Sequence, residues 1–221
     1  AANWVYWEFS PRYMSVSGWV GDQDPTFKGL VDAMNNMLHS AWAGYVSFGS
    51  DTGGYRCCGS GDPKGRTREL LIRWAQVNSL MGLFENGGDN EHRPWMFSQP
   101  ELTTSIYRYF VDLHQSISTY LFSEGSRVLL QGHGSLVRPV ARKPLDPFGY
   151  PSTYDYFLGP SIFVSPIVSG NVSSVEVHFP SGQNYVDWVN NTVVYRGGSK
   201  VRYSTPLDST LYPVFHVQGN L

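Results

Sequence analysis

The spacing of apolar residues changes character once along this chain, and that change constrains the fold more than any other feature. Up to about residue 124 the spacing is helical. Leu30, Ala33, Met34, Met37, Leu38 and Ala41 form one stripe. Leu70, Leu71, Trp74, Val77 and Leu80 form a second, and Ile106, Phe110, Leu113, Ile117 and Leu121 a third. Pro25 falls near the first helical position of the first run, and Gly44 ends it. The second helix is predicted over 66–83, its last residues handing over to a strand at 81–84. The third starts at Gln99-Pro100-Glu101 and stops at Gly125. The short run 45–50 reads as a buried strand between the first two helices.

Beyond a boundary near 125–135 the period becomes two. Strands are predicted at 135–140, 157–166, 172–179, 185–189, 191–195, 200–203 and 214–217, with Gly, Pro, Asn and Ser between them. The expectation is an α/β region over 1–130 followed by an all-β module of sandwich type over 131–221.

Charge and composition exclude several classes of function. The net charge is −2 and there is no Lys/Arg cluster, so no basic field exists for nucleic acid. No run approaches the roughly 20 apolar residues of a membrane span. G-x-S-x-G, H-E-x-x-H and P-loop strings are absent, and Gly197-Gly198 is a hairpin-type turn. His114 and His133 have no ligand-spaced partner. No metal and no cofactor is expected. The adjacent Cys57-Cys58 do not have the separated pairs of a structural zinc site; free thiols, a vicinal disulfide and bonds to other cysteines remain open. Asn171-Val172-Ser173 and Asn190-Asn191-Thr192 are glycosylation sequons, and they favour a secretory route, extracellular or lysosome-like. The start, Ala1-Ala2-Asn3-Trp4, carries neither Met nor a signal-peptide pattern, and the chain is expected to be a piece of something longer.

Two carboxylates bracket the first helix and the strand after it. Asp22 stands in Gly21-Asp22-Gln23; Asp51 follows the 45–50 run and precedes Gly53-Gly54-Tyr55. Where strands and helices alternate around a barrel, such loops gather on one face. Read alone, Asp22 fits a helix-capping residue and Asp51 a turn residue that satisfies backbone N–H groups.

The order G-D-Q, helix, S-D-T-G-G-Y resembles glycoside hydrolase family 31, the α-glucosidase group. The later strings E-L-L-I-R-W-A-Q (69–76), E-N-G-G-D-N-E-H-R-P-W (85–95), V-R-P-V (137–140), F-L-G-P-S-I-F-V-S-P-I-V (157–168) and F-P-S-G-Q-N-Y-V-D-W (179–188) follow in family order. The resemblance implies that 1–130 is the C-terminal part of a (β/α)8 barrel and 131–221 the β-domain behind it. It implies that Asp22 is the general acid/base and that Asp51 hydrogen-bonds the sugar or neighbouring site residues, with Trp19 and Tyr55 lining the pocket.

The family also places a sugar-binding His after the next strand. Either His92 supplies that contact from a longer loop, or Glu85, Asn86 or Asp89 has taken its place. Arg93 and Trp95 are expected to anchor that loop. Arg73 and Trp74 are expected to be structural, Arg73 pairing a buried carboxylate. The family nucleophile, an Asp in a W-x-D-x-N-E string, is missing, and Arg12 in S-P-R-Y is a poor match for the family's substrate-binding Arg. The remainder of the barrel is therefore the expected partner and an α-linked sugar the expected substrate, with the chain alone inactive. A fold kept without catalysis, for structure or sugar binding, is an alternative. A transglycosidase or lyase variant of the same site is another.

Overall fold

The computed structural model describes residues 17–56, 65–89, 91–140 and 153–220. Cys57, Cys58 and Arg12 lie outside these.

Strand β1 (Ser17–Trp19) pairs in parallel with β2 (Ser47–Gly49), placing Trp19 opposite Gly49. A parallel pair requires a crossover, and helix α1 (Phe27–Trp42) supplies it. Thr26, rather than Pro25, sets the start of α1: its hydroxyl accepts from the Gly29 N–H at 3.0 Å. Helix α2 (Arg68–Asn78) is capped in the same way by Thr67, which accepts from the Leu70 N–H at 3.2 Å. It ends at Asn78, five residues short of the predicted 83.

Residues 81–84 do not form the predicted strand. The segment runs close beside β2: a Cβ at Gly82 would collide with the Ser47 side chain, and one at Gly49 would collide with Leu83. Pairing is limited to one parallel bridge, Asp51 to Glu85. Among the described residues, β1 and β2 are the only strands of this sheet, where a closed barrel has eight.

The predicted third helix is two helices. Helix α3 (Pro100–Ser116) and helix α4 (Ser118–Gln131) meet at Ile117, whose φ of −94° and ψ of 4° interrupt the helical geometry. Gly125 is not the stop. Buried Leu121 and Val128 keep the apolar stripe running past it, and packing outweighs the ~1 kcal/mol that an interior glycine costs. The stop is Gly132, in the left-handed conformation (φ 71°) that terminates helices.

The β-region forms a sandwich. Strands β3 (Val137–Pro139), β4 (Tyr156–Leu158), β5 (Ile162–Val164), β10 (Val214–Val217), β7 (Asn184–Asp187) and β8 (Val194–Arg196) make an antiparallel sheet in that order. Strands β6 (Ser174–His178) and β9 (Lys200–Ser204) make a second sheet. The predicted strand 157–166 divides into β4 and β5 at a turn where Gly159 takes a φ of 57°. Phe163, Phe179, Tyr185, Tyr203 and Phe215 fill the space between the sheets, with Phe179 stacked on Tyr195 at 4.8 Å.

The larger core ignores the boundary between the regions. Leu30, Met34, Leu70, Trp74 and Phe110 belong to one cluster with Tyr156, Leu158, Ile162 and Tyr212. Arg73 crosses the same boundary. Among the described residues no carboxylate forms an ion pair with it, although the charge of Glu69 acts on it; its Nη2 donates to the carbonyls of Val172 (2.8 Å) and Thr205 (2.7 Å), and its Nη1 to Gln76 Oε1. The guanidinium replaces ladder partners that these two strand-flanking carbonyls would otherwise need. The opposite face is less complete. Trp95, Phe122 and Leu130 are 58%, 78% and 87% exposed, as expected where barrel neighbours are missing.

Candidate functional site

Three loops at the ends of β1, β2 and the 81–85 segment are hydrogen-bonded to one another. The Gln23 carbonyl accepts from the N–H groups of Tyr55 (3.0 Å) and Arg56 (3.2 Å). Gln23 Nε2 in turn donates to the Val20 carbonyl at 2.9 Å, closing the loop that carries Asp22. The Tyr55 carbonyl accepts from the Asp89 N–H at 2.9 Å, and the Thr52 N–H donates to the Glu85 carbonyl at 2.9 Å. Gly54, at φ 88°, lets the second loop lie against the first, since a Cβ there would meet the Asp24 carbonyl oxygen at 2.7 Å.

Asp22 is exposed at this rim, whereas Asp51 is 2% exposed. A buried polar network holds the turn that carries Asp51. Asn78 Nδ2 donates to the Ser50 carbonyl (2.7 Å) and to Thr52 Oγ1 (2.9 Å), Ser50 Oγ donates to Asn78 Oδ1, and Trp74 Nε1 donates to Ser50 Oγ. Trp74 is structural, as expected. Among the described residues Asp51 Oδ2 has no hydrogen-bond partner. Desolvation pushes the Asp51 ionisation up to about 6, and the charges of Glu85 and Asp22 add to the rise while Arg66 opposes it. The two aspartates therefore share one electrostatic environment.

Arg66 braces the rim from beneath. It donates to the Gly54 carbonyl (2.5 Å), the Gly87 carbonyl (2.9 Å) and Asn86 Oδ1 (2.9 Å), and burial lowers its ionisation to about 10. Tyr107 of α3 hydrogen-bonds Asn86 and Thr52, and burial raises its phenol to about 12. Sequence reasoning missed Arg66, Asn78 and Tyr107 as site residues. Arg66 and Asn78 flank a helix that reads as core, and nothing local marks their partners.

The other sequence candidates divide. Tyr55 is half-buried and its backbone joins all three loops; Trp19 is half-buried at the end of β1, three residues before Asp22. His92 is exposed, and its carbonyl accepts from Asn86 Nδ2 at 2.8 Å. It lines a groove of about 500 Å³ along α3 with Trp95, Tyr107 and Val111, and that lining includes neither Asp22 nor Asp51. Arg93 anchors its loop as expected, through a two-point pair with Glu91 (2.8 and 2.6 Å). Trp95 is 58% exposed and lines the same groove. Asn171 and Asn190 are both exposed, and Asn190 Oδ1 accepts from the Thr192 hydroxyl at 2.7 Å. Among the described residues no group of three or more His, Cys, Asp or Glu is placed to hold a metal ion, and no helix is long and apolar enough to cross a membrane.

Strand-end loops carrying an exposed and a buried aspartate, on a β/α segment backed by a β-sandwich, fit the C-terminal part of a barrel protein. The chain belongs to glycosyl hydrolase family 31. That family's TIM-barrel domain matches residues 10–124 and its C-terminal domain residues 133–221. Among curated relatives, a 1,6-alpha-glucosyltransferase from Sporosarcina globispora is 28% identical, over 86% of this chain and 15% of its own length. A probable alpha/beta-glucosidase from Aspergillus fumigatus is 26% identical, over 92% of this chain and 22% of its own. Among solved structures, a xylosidase from Aspergillus niger superposes with a TM-score of 0.77 at 23% identity, covering 92% of this chain and 32% of that one. The chain thus spans under a third of the length of each.

Proposed function

We propose that these residues form the acid/base-bearing part of a retaining α-glycoside hydrolase of the α-glucosidase type. The observation that carries the proposal is the direct hydrogen bonding of the Asp22 loop to the loop that follows Asp51, which supports a shared rim for the two residues. Retaining hydrolysis needs a general acid and a nucleophile on opposite sides of the sugar. Asp22 gives its proton to the departing glycosidic oxygen, then takes a proton from the water that releases the sugar from the nucleophile. The nucleophile comes from a part of the barrel outside these residues. Asp51, dry and with a free acceptor oxygen, holds the sugar. The glucosyltransferase relative supports a sugar acceptor in place of water as a variant of the second step, which product analysis would reveal. Both sequon asparagines are exposed, which supports a secretory route.

The test uses the complete polypeptide that contains these residues. Asp22→Asn should slow hydrolysis of maltose or an alkyl α-glucoside by about 10²- to 10⁴-fold. With 2,4-dinitrophenyl α-glucoside, whose leaving group needs no proton, the first step should be nearly unaffected. Equal rates for wild type and Asp22→Asn on the alkyl glucoside would remove Asp22 from the mechanism.

A further inference from the structure

The strand end that follows Asp51 presents a second carboxylate, and its placement is more specific than proximity. Glu85 is the bridge partner of Asp51, so the two residues are registered neighbours on adjacent strand ends. Registered neighbours send their side chains to the same side of a sheet. Gly87 lies beside the pair. A Cβ there would stand 3.5 Å from Asp51 Oδ1 and 3.7 Å from Glu85 Oε1, so the missing methyl leaves open a space that touches both carboxylates. Asp51 Oδ2 is buried without a partner, an acceptor that is costly to leave unmade. Of the charges around Asp51, that of Glu85 acts on it more strongly than that of Asp22 or Arg66.

We propose that Glu85 pairs with Asp51 as a second hydroxyl acceptor, across the gap kept by Gly87, and that the pair selects a sugar with two adjacent free hydroxyl groups. This rests on the site reading above and names the residue that reads the sugar. Two carboxylates side by side repel each other. Donated hydroxyls from one diol, reaching Asp51 Oδ1 and Glu85 Oε1 across the gap, relieve that repulsion. A site built on acceptors also rejects analogues that lack a donor, because one acceptor of the pair is then left unpaired. His92 lines the groove along α3, whose lining includes neither Asp51 nor Glu85.

The test is calorimetric binding of methyl α-glucoside and its monodeoxy analogues to the complete protein. Gly87→Ala adds one methyl at ordinary contact distance and requires no unusual backbone angle, so the variant should melt like wild type. It should weaken binding by about 10- to 100-fold. Glu85→Gln should weaken binding about tenfold. Two adjacent deoxy positions should each weaken wild-type binding, and for one of them Glu85→Gln should add no further loss. Such non-additivity marks a direct contact, which a merely structural Glu85 would not produce. Unchanged binding in both variants, losses that add at every position, or no binding of any of these sugars to wild type would each overturn the proposal. Asp22→Asn separates the two readings: it should slow turnover of alkyl glucosides by about 10²- to 10⁴-fold while leaving this binding in place.

Discussion

Replacing Asp51 with Asn should stabilise the protein above pH 6 and flatten its stability across the acid range. The Asp51 carboxyl is 2% exposed and ionises at about 6 in the fold, against an ordinary value of 3.8. Between those two values the unfolded chain has released the proton and the folded one still holds it. The folded state binds more protons there, so stability falls as pH rises from 3.8 to about 6 and is level beyond. At 1.36 kcal/mol per pH unit, the gap corresponds to about 3 kcal/mol lost across the window. An Asn at 51 has the same shape and no charge, so it escapes that loss. It also relieves the repulsion from Glu85 and Asp22. The assay is urea unfolding of wild type and Asp51→Asn at half-unit steps from pH 4 to 8, followed by the fluorescence of the tryptophans, buried Trp74 among them. The difference between the two proteins should grow in favour of the variant up to about pH 6 and then hold. A difference that is constant across the range, or that shrinks as pH rises, would refute the assignment of a dry, repelled carboxyl to this position.

Two further predictions concern the rest of the chain. Arg73→Met should destabilise by about 2–4 kcal/mol, since the carbonyls of Val172 and Thr205 both lose their charged donor; a thermal midpoint within a degree of wild type would contradict this. Protein secreted from a eukaryotic host should carry glycans at Asn171 and Asn190, each removed by its own Asn→Gln substitution; an unmodified mass at both positions would reject the secretory reading.

The α/β-then-β order of this chain, the helices α1 and α2, the strand β10 and the two aspartates are legible from the sequence by itself. Each depends on signals carried by neighbours in the chain. Apolar residues three and four apart define a helical stripe, alternation defines a strand, and the G-D-Q and S-D-T-G-G-Y strings are continuous. Where a signal is weak locally, tertiary packing decided the outcome. Gly125 reads as a stop, yet Leu121 and Val128 bury themselves on either side of it and the helix continues to Gln131. Residues 81–84 read as a strand, yet too little sheet lies beside them for more than one bridge. The site shows the same division. That the loops carrying Asp22 and Asp51 join follows from short loops after adjacent parallel strands. That Arg66 braces them, that Asn78 holds the turn and that Glu85 stands beside Asp51 could not be read from spacing, because their partners lie far off in the chain. Arg73 is the extreme case: its acceptors are 99 and 132 residues away. A local pattern states which face of an element is apolar, but only the closed fold brings a buried donor to a particular carbonyl.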